Sequence, residues 1–356
     1  MKFMKKLFIV ILLLATCQAY AMQKADHIDK IELENLRAAA QGGNTEAQFG
    51  LGTYYFKKSL QTTDLKEKAQ FALEALTWYK RSAKRNMTSY EGMGHCYKEL
   101  SKALFESHPA ESAKSYKQSM DCYEKSAITG SVAAQELLAN SYYDLACKGQ
   151  EESCMPEAIK WFNKAALQGS AVAHLCLGNI YENRIKKADK QDKLENINQA
   201  IKYYTPIALT DIGIQAKLGQ LYEMKREFVL DDPQNESLIK AMCWWKMAAD
   251  RGHALAQHNL AICFNTARKL ASESEMKAIL EKASLDLLKS ASRQGLKESS
   301  ILRSDIKQEV AICATCGGKN ATARCGKCKI VKYCGPDCQK ANWPQHKLEC
   351  TKSSVL

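Results

Sequence analysis

Residues 157–182 read EAIKWFNKAALQGSAVAHLCLGNIYE, and this stretch decides the fold class. Phe162 is followed four residues later by a small residue, Ala166, and Leu177 and Tyr181 lie four and eight residues beyond Ala173. Spacings of four and eight place side chains on one face of a helix. The glycine at position 169, between the two runs, is typical of a helix stop. The stretch therefore predicts two helices joined by a tight turn.

The same pattern recurs along the chain with a period of about 42 residues. The aligned starts are Ala47, Ser89, Ala134, Ala173, Ile214 and Ala256. The residues four beyond them are Leu51, Met93, Leu138, Leu177, Leu218 and Leu260. A second helix in each copy carries Tyr79, Tyr123, Phe162, Tyr204, Trp245 or Leu288, each followed four residues later by Ala or Ser. Six helix–turn–helix copies predict an all-α fold, an α-solenoid, in which these positions form the core.

These segments resemble the Sel-1-like repeat, a relative of the tetratricopeptide fold. EAQFGLGTYY, AVAHLCLGNIYE and IQAKLGQLYE are similar to its first helix, and EAIKWFNKAALQG and KAMCWWKMAADRG to its second. We expect a lead-in helix in residues 22–42 and the repeats with a closing half-repeat in residues 43–309. Glu298, Ser299 and Arg303 stand where other copies have small apolar residues, which predicts a polar cap. A solenoid of this kind offers a long concave surface to a protein partner.

Residues 313–350 contain seven cysteines and one histidine at short intervals. Their order is Cys313-x2-Cys316-x8-Cys325-x2-Cys328-x5-Cys334-x3-Cys338-x7-His346-x3-Cys350. Structural zinc is bound tetrahedrally by four thiolate or imidazole ligands, so eight ligands predict two Zn²⁺ ions. A disulfide knot is the alternative, since small secreted domains use disulfides. Seven cysteines cannot pair completely, which favours zinc.

This segment resembles the MYND-type zinc finger, through YC at 333–334, CQ at 338–339, Trp343 and HKLEC at 346–350. The family's ligands interleave as a cross-brace. By resemblance, one zinc takes Cys313, Cys316, Cys334 and Cys338, and the other takes Cys325, Cys328, His346 and Cys350. The resemblance also implies a shallow groove for proline-containing peptides, lined by Gln339 and Trp343. For Trp343, packing against the second zinc loop is the alternative. Both sites are closed, which indicates structural rather than catalytic zinc.

The N-terminus predicts export. Residues 1–21 combine a basic start, an apolar run from Leu7 to Ala15 and a small-x-small site ending at Ala21, the anatomy of a signal peptide cut before Met22. Lipidation at Cys17 and an uncleaved anchor are the alternatives. We expect a periplasmic or secreted protein that meets a membrane only during export. Thiolate zinc suits a reducing compartment, so one hypothesis is an effector that an intracellular bacterium delivers to a host cytosol.

Charge and motifs limit the other function classes. The formal charge of +12 falls to +9 without Lys2, Lys5 and Lys6, and seven thiolates against two Zn²⁺ subtract three more. This is too little for nucleic-acid binding to lead, although a regulator binding through the finger's lysines remains an alternative. The chain has no phosphate loop, HExxH or GxSxG motif, and no room for the SET domain of MYND methyltransferases. We expect a zinc-binding interaction adaptor and no enzyme; a structural envelope repeat protein is the other alternative.

Overall fold

A computed structural model describes residues 32–147, 154–228, 236–309, 313–318, 321, 323–328 and 331–350. The predicted signal peptide lies outside these residues, as do residues 22–31 of the predicted lead-in segment. The chain forms two compact units, Met1–Ala173 and His174–Leu356. Among the described residues, no helix combines the length and the apolar character that crossing a bilayer requires.

The described part of the chain is mostly helical. The helices up to the end of the first unit are α1 (32–41), α2 (Thr45–Gln61), α3 (Leu65–Ser82), α4 (Ser89–Leu104), α5 (Pro109–Ile128), α6 (Val132–Cys147), α7 (Cys154–Leu167) and α8 (Ala171–Ile185), which runs into the second unit. The second unit continues with α9 (Lys190–Tyr204), a 3₁₀ turn (Thr205–Ile207), α10 (Ile212–Arg226), α11 (Glu236–Asp250), α12 (Ala254–Leu270), α13 (Ser274–Arg293) and α14 (Lys297–Glu309). The C-terminal segment contains β1 (Ala323–Arg324), β2 (Lys332–Tyr333) and α15 (Pro336–Glu349).

Helices adjacent in the sequence pack against each other, as a helix–turn–helix array requires. In the first unit α2 packs on α3, α4 on α5 and α6 on α7; in the second, α10 packs on α11 and α12 on α13. The large residues four beyond the repeat starts and those of the second helices are all buried, from Leu51 and Tyr79 in the first copy to Leu260 and Leu288 in the sixth, whereas Tyr181, eight beyond its start, is half-buried. The all-α repeat prediction is confirmed, and the packing of apolar faces is what stabilises each hairpin.

Close helix approach within a hairpin depends on glycine. Five residues beyond the repeat start, four copies have Gly52, Gly94, Gly178 or Gly219. A Cβ built there would lie 2.3–2.6 Å from a ring atom of the aromatic residue on the second helix, Tyr79, Tyr123, Tyr204 or Trp245. The third and sixth copies have Ala139 and Ala261 instead, and their second helices carry the shorter Phe162 and Leu288. The size of one side chain therefore matches the space that the other leaves.

The turns between copies use glycine and a polar cap. The glycines that follow the second helices of four copies, Gly130, Gly169, Gly252 and Gly295, all adopt positive φ, with the predicted helix stop Gly169 at 85° and Gly252 at 93°. Beyond Gly252, the His253 imidazole caps α12, because its Nδ1 accepts from the amide of Ala256 at 3.2 Å. His253 is thus a structural residue. The glutamine that follows several repeat starts was not singled out; Gln257 Nε2, for example, donates to the carbonyl of Ala249 at 3.2 Å.

The polar-cap prediction for α14 is wrong at one position. Ser299 is fully buried and shares a hydrogen bond of 2.9 Å with Nδ1 of His258. Ile306 of the same helix is also buried and packs with Ala261 and Leu288. A serine is small enough to occupy the close-approach position of a repeat helix, and the histidine satisfies its hydroxyl. Its polarity therefore did not mark an exposed surface.

Candidate metal centres and the adjoining groove

Two short strands and one helix hold the finger together. Strands β1 and β2 pair antiparallel, with Ala323 opposite Tyr333 and Arg324 opposite Lys332. Cys325 comes directly after β1 and Cys334 directly after β2, so this small sheet joins a ligand of one cluster to a ligand of the other. Gly317 adopts φ of 69° and donates to the Cys313 carbonyl at 3.0 Å, which closes the first Cys-x2-Cys turn.

The first cluster brings together Cys313, Cys316, Cys334 and Cys338. Their ligand atoms lie within 4.8 Å of one another. The Sγ atom of Cys334 is 3.6 Å from Cys313 Sγ, 3.6 Å from Cys316 Sγ and 3.2 Å from Cys338 Sγ. Cys338 is at the start of α15, where the Thr315 hydroxyl donates to its carbonyl oxygen.

The second cluster brings together Cys325, Cys328, His346 and Cys350, and all four residues are buried. Cys325 Sγ lies 3.7 Å from Cys350 Sγ, and Cys328 Sγ lies 3.4 Å from Nε2 of His346. His346 belongs to the last turn of α15, and Cys350 is the first residue after the end of this helix. Because α15 begins with a ligand of the first cluster and ends with ligands of the second, it makes the predicted cross-brace.

The distances fit zinc and exclude disulfides. Zinc with sulfur ligands at about 2.3 Å in a tetrahedron sets the sulfurs about 3.8 Å apart. The observed separations of 3.2–3.7 Å approach that value. A disulfide requires about 2.05 Å between sulfurs, and these cysteines are free. Four thiols in one cluster and three thiols with an imidazole in the other are donor sets that structural zinc prefers. The ligand grouping predicted by resemblance is the one that the structure brings together.

The electrostatics of the clusters also call for a cation. Backbone N–H groups, first that of Cys316, donate to the Cys313 sulfur and lower its pKa to about 5. Burial opposes ionisation of Cys325, but amide donors, first that of Cys328, outweigh it and lower the pKa to about 6. Hydrogen bonds with Cys334 and Cys313 raise the pKa of Cys338 to about 12. Ionisation of one thiol therefore disfavours ionisation of the other thiols in its cluster. A divalent cation relieves the repulsion between the thiolates.

Tyr333 ties the sheet to α15 between the clusters. Its side chain is fully buried, and its hydroxyl donates to Oδ1 of Asn342 at 3.0 Å. The ring meets the imidazole of His346 edge-on at 6.4 Å. Burial raises the pKa of the phenol, so the hydroxyl keeps its proton and remains a donor. Tyr333 therefore orients the helix that carries His346.

A shallow groove of about 290 Å³ lies beside the clusters. Its described lining residues are Pro336, Gln339, Lys340 and Trp343. Trp343 keeps 41% of its surface exposed while its ring meets His346 edge-on at 5.9 Å. The tryptophan therefore does both things considered from the sequence, packing against a second-cluster ligand and facing the groove. Sequence reasoning missed Pro336 and Lys340. Their spacing from Trp343, seven and three residues, is that of one helix face and could have found them.

The finger contacts the repeats of its own unit through an ion pair. Lys332 Nζ lies 3.4 Å from Oε1 of Glu281 on α13. The side chain of Lys332 is 12% exposed to solvent and that of Glu281 is 20% exposed. At this degree of burial, loss of either partner would leave the other charge largely buried and unpaired.

The buried cysteines and tryptophans of the repeats have a structural role. Among the described residues, three or more ligand atoms converge only at the two clusters. Cys96 and Cys122 are buried in the core of the first unit, and burial raises the pKa of Cys122 to about 11. Burial of this kind disfavours the thiolate, which is the reactive form of cysteine. Trp245 is a buried core residue, as predicted, and Trp161 is buried as well.

Comparisons with known proteins identify the finger. Residues 313–350 match the family model described as MYND finger. The SET domain and MYND-type zinc finger protein 6 of Schizosaccharomyces pombe is 47% identical over 55 residues, 15% of this chain and 11% of that protein. N-lysine methyltransferase SMYD2-B of Danio rerio is 58% identical over 40 residues, 11% of this chain and 9% of that protein. The chain thus spans about a tenth of these relatives, and the matches cover only the finger region.

A structural neighbour is a repeat protein. The crystal structure of a Sel1 repeat protein from Oxalobacter formigenes aligns with a TM-score of 0.35 and 20% identity over 72% of this chain and 88% of that one. The repeat fold rests on the helix packing described above. The C-terminal segment is a MYND zinc finger with ligands for two Zn²⁺ ions, and it follows an array of helix–turn–helix repeats.

Proposed function

We propose that this chain is a zinc-dependent adaptor that binds a proline-containing peptide in the groove of its finger. The observation that carries the proposal is the placement of Trp343, which is half-exposed over the groove and anchored from behind by His346. An indole held in this way presents a flat apolar face, which suits an extended proline segment. Gln339 lies four residues away on the same helix and lines the same groove.

The zinc ions have a structural role in this proposal. Each cluster supplies four protein ligands, so no position is open for a water or substrate. A domain of this size buries little apolar surface, and metal binding supplies its folding free energy. Zinc would therefore fix α15, and α15 would fix the groove.

Contact with the repeats argues against the nucleic-acid alternative. That alternative requires the finger lysines to share one exposed face. Lys332 is one of them, yet its ammonium is paired with Glu281 and mostly buried. Lys340 lines the groove beside Trp343. The lysine set is therefore divided between different surroundings, whereas phosphate binding favours a continuous basic surface.

Trp343→Ala tests the peptide groove. We expect affinity for a proline-containing peptide, selected on the full-length protein from a peptide library, to fall roughly thirtyfold, since removing a central aromatic anchor costs about 2 kcal/mol. Calorimetry measures the affinity, and a colorimetric zinc assay on the same sample checks the metal.

Leu348→Ala is the matched control, because Leu348 is an apolar residue of the same helix that is 82% exposed outside the groove. It should leave binding and zinc unchanged. If Trp343→Ala binds the peptide as the parent does while both Zn²⁺ ions stay bound, the groove is not the binding site. Loss of zinc together with binding would assign Trp343 to packing alone.

We also propose export through residues 1–21, with delivery to a reducing host cytosol as the destination that suits thiolate zinc. The support is the basic start, the apolar run and the small-x-small site. Intact-mass measurement on protein from the native producer should find a chain that begins at Met22. A folded product that retains Met1 would remove export from the proposal, and an acylated Cys17 would replace secretion by lipid anchoring.

A further inference from the structure

A groove of about 570 Å³ lies in the first unit between α4, α5 and α6. Its apolar lining includes Phe105, Pro109, Met120 and Leu145. Phe105 is 68% exposed at the edge of this groove. The lining residues are distant in the sequence from the finger, and they include neither the zinc ligands nor any residue of α15. The groove accordingly presents a separate surface of the repeat array.

Hydrogen bonds within the chain hold the side chains that form the floor and one wall of this groove. The Ser112 hydroxyl donates to the carbonyl of Ser101 at 2.7 Å, and the two buried serines bring α4 and α5 together. The hydroxyl of Tyr116 donates to the Ser141 carbonyl at 3.2 Å, which holds the ring against α6. These contacts fix the groove without an occupant, so a ligand would enter a formed site rather than create one.

The charge of the lining is opposite to that of the chain. Asp121 and Glu124 line the groove, and neither forms an ion pair or hydrogen bond within the described part of the chain. Lys117 is the single basic residue among the described lining residues. The whole chain has 51 basic against 39 acidic residues, so an acidic groove departs from the average.

The electrostatic field around Tyr142 is also negative. Burial raises the pKa of this phenol, and the negative charges of Glu124 and Glu157 raise it further. The C-terminal ends of α4 and α6 at Phe105 and Leu145 add partial negative charge, which the N-terminus of α5 at Pro109 offsets in part, so the carboxylates dominate the field. Aromatic rings beside carboxylates form a site for a cation, through the ring face and through charge-assisted hydrogen bonds.

We propose that this groove binds a partner peptide by inserting an arginine or lysine side chain against Tyr142, Asp121 and Glu124, with an adjacent apolar residue of the peptide on Phe105. The inference rests on the proposed adaptor function and adds a second, repeat-borne site with its own partner chemistry. Anionic lipid surfaces and nucleic acids are disfavoured because the same carboxylates repel them. The open, apolar rim suits an extended segment better than a small free cation.

Selection from a random twelve-residue peptide library on the full-length chain tests the proposal. We expect enriched peptides that pair Arg or Lys with a neighbouring apolar residue. One selected peptide and its copy with citrulline in place of arginine, or norleucine in place of lysine, are then titrated by fluorescence anisotropy. The neutral copy and the variant Asp121→Asn/Glu124→Gln should each bind about tenfold more weakly, the loss expected of one charge-assisted hydrogen bond.

The control Glu46→Gln/Glu106→Gln removes the same charge at exposed positions outside the groove and should bind as the parent does. Trp343→Ala should also bind this peptide normally, which separates this site from the finger groove. The proposal is overturned if no basic peptide is enriched, if the control weakens binding as much as the groove variant, or if Trp343→Ala alone abolishes it. In that last case the basic peptide binds in the finger groove. If instead the proline-containing peptide fails to bind while the basic peptide still binds, only the proposed function of the finger is removed.

Discussion

Replacing Gly219 by alanine tests whether close helix approach sets the core of the repeats. The added Cβ would lie 2.3 Å from Cδ1 and Nε1 of Trp245 and 2.8 Å from its Cε2. Trp245 is 1% exposed and packs among Ala216, Ala241 and Ala248, so its ring has no free space to move into. Overpacking of this kind costs about 1–3 kcal/mol. Alanine recovers up to about 1 kcal/mol through its better helix propensity. At 2.3 Å the overlap is severe, so the upper part of that range, about 2–3 kcal/mol, applies, and the net expectation is a loss of about 1–2 kcal/mol.

Urea denaturation followed by circular dichroism measures this loss as a lower midpoint with an unchanged slope. Gly213→Ala is the control in the same helix, because its added Cβ would meet only Oδ1 of the exposed Asp211, at 3.2 Å, a side-chain atom that caps the helix by accepting from the Ile214 amide at 3.0 Å. It should lose clearly less stability than Gly219→Ala, because a small shift of this exposed capping carboxylate relieves the contact, whereas the ring of Trp245 is enclosed in the core. The double variant Gly219→Ala/Trp245→Phe copies the pairing of Ala139 with Phe162 and should lose less than the two single losses combined. A Gly219→Ala protein as stable as the parent would refute the close-packing argument.

Three further expectations concern metal, pH and the finger's contact with the repeats. Cys325→Ser should reduce the zinc content of the full chain from two ions to about one, with the ion at Cys313 and its partners retained, as measured by mass spectrometry under non-denaturing conditions; a protein that still holds both ions would contradict the assignment. Burial lowers the pKa of His95 from 6.5, so the neutral form is favoured in the folded state and the free energy of unfolding should fall as pH drops below about 6.5; His95→Asn should flatten that dependence in urea titrations, and an unchanged dependence would exclude His95 as its source. Glu281→Gln leaves the largely buried Lys332 ammonium without its carboxylate and should speed hydrogen exchange of the β2 amides severalfold, whereas equal exchange would show that the pair does not hold the finger.

Periodicity predicted which residues are buried, and resemblance predicted how the zinc ligands group. A spacing of four and eight residues reports one helix face, and the large residues predicted for the core lie on the buried face in all six copies. Interleaved ligands cannot be assigned by spacing alone, because several groupings of eight ligands satisfy it. The grouping came from the MYND resemblance, and the structure confirms it.

Periodicity could not predict which distant segment covers a given face. Lys332 and Glu281 are 51 residues apart, and nothing in either local pattern marks them as partners. Ser299 was expected on a polar cap, but a histidine on the preceding repeat satisfies its hydroxyl in the core. The acidic groove depends on three helices from two copies. Each of these features is set by contacts between helices rather than by the sequence of one.

The glycine–aromatic pairs can be recognised from the repeat sequences and explained from the structure. Within one chain, the copies with Tyr or Trp on the second helix have glycine on the first, and the copies with Phe or Leu have alanine. Sequence comparison between copies is enough to reveal this covariation once the register is known. Its cause, a Cβ that would overlap a buried ring, appears only in the structure. The third and sixth copies thus act as natural counterparts of the double variant above, which is why pairwise compensation, rather than either residue alone, is the quantity to measure.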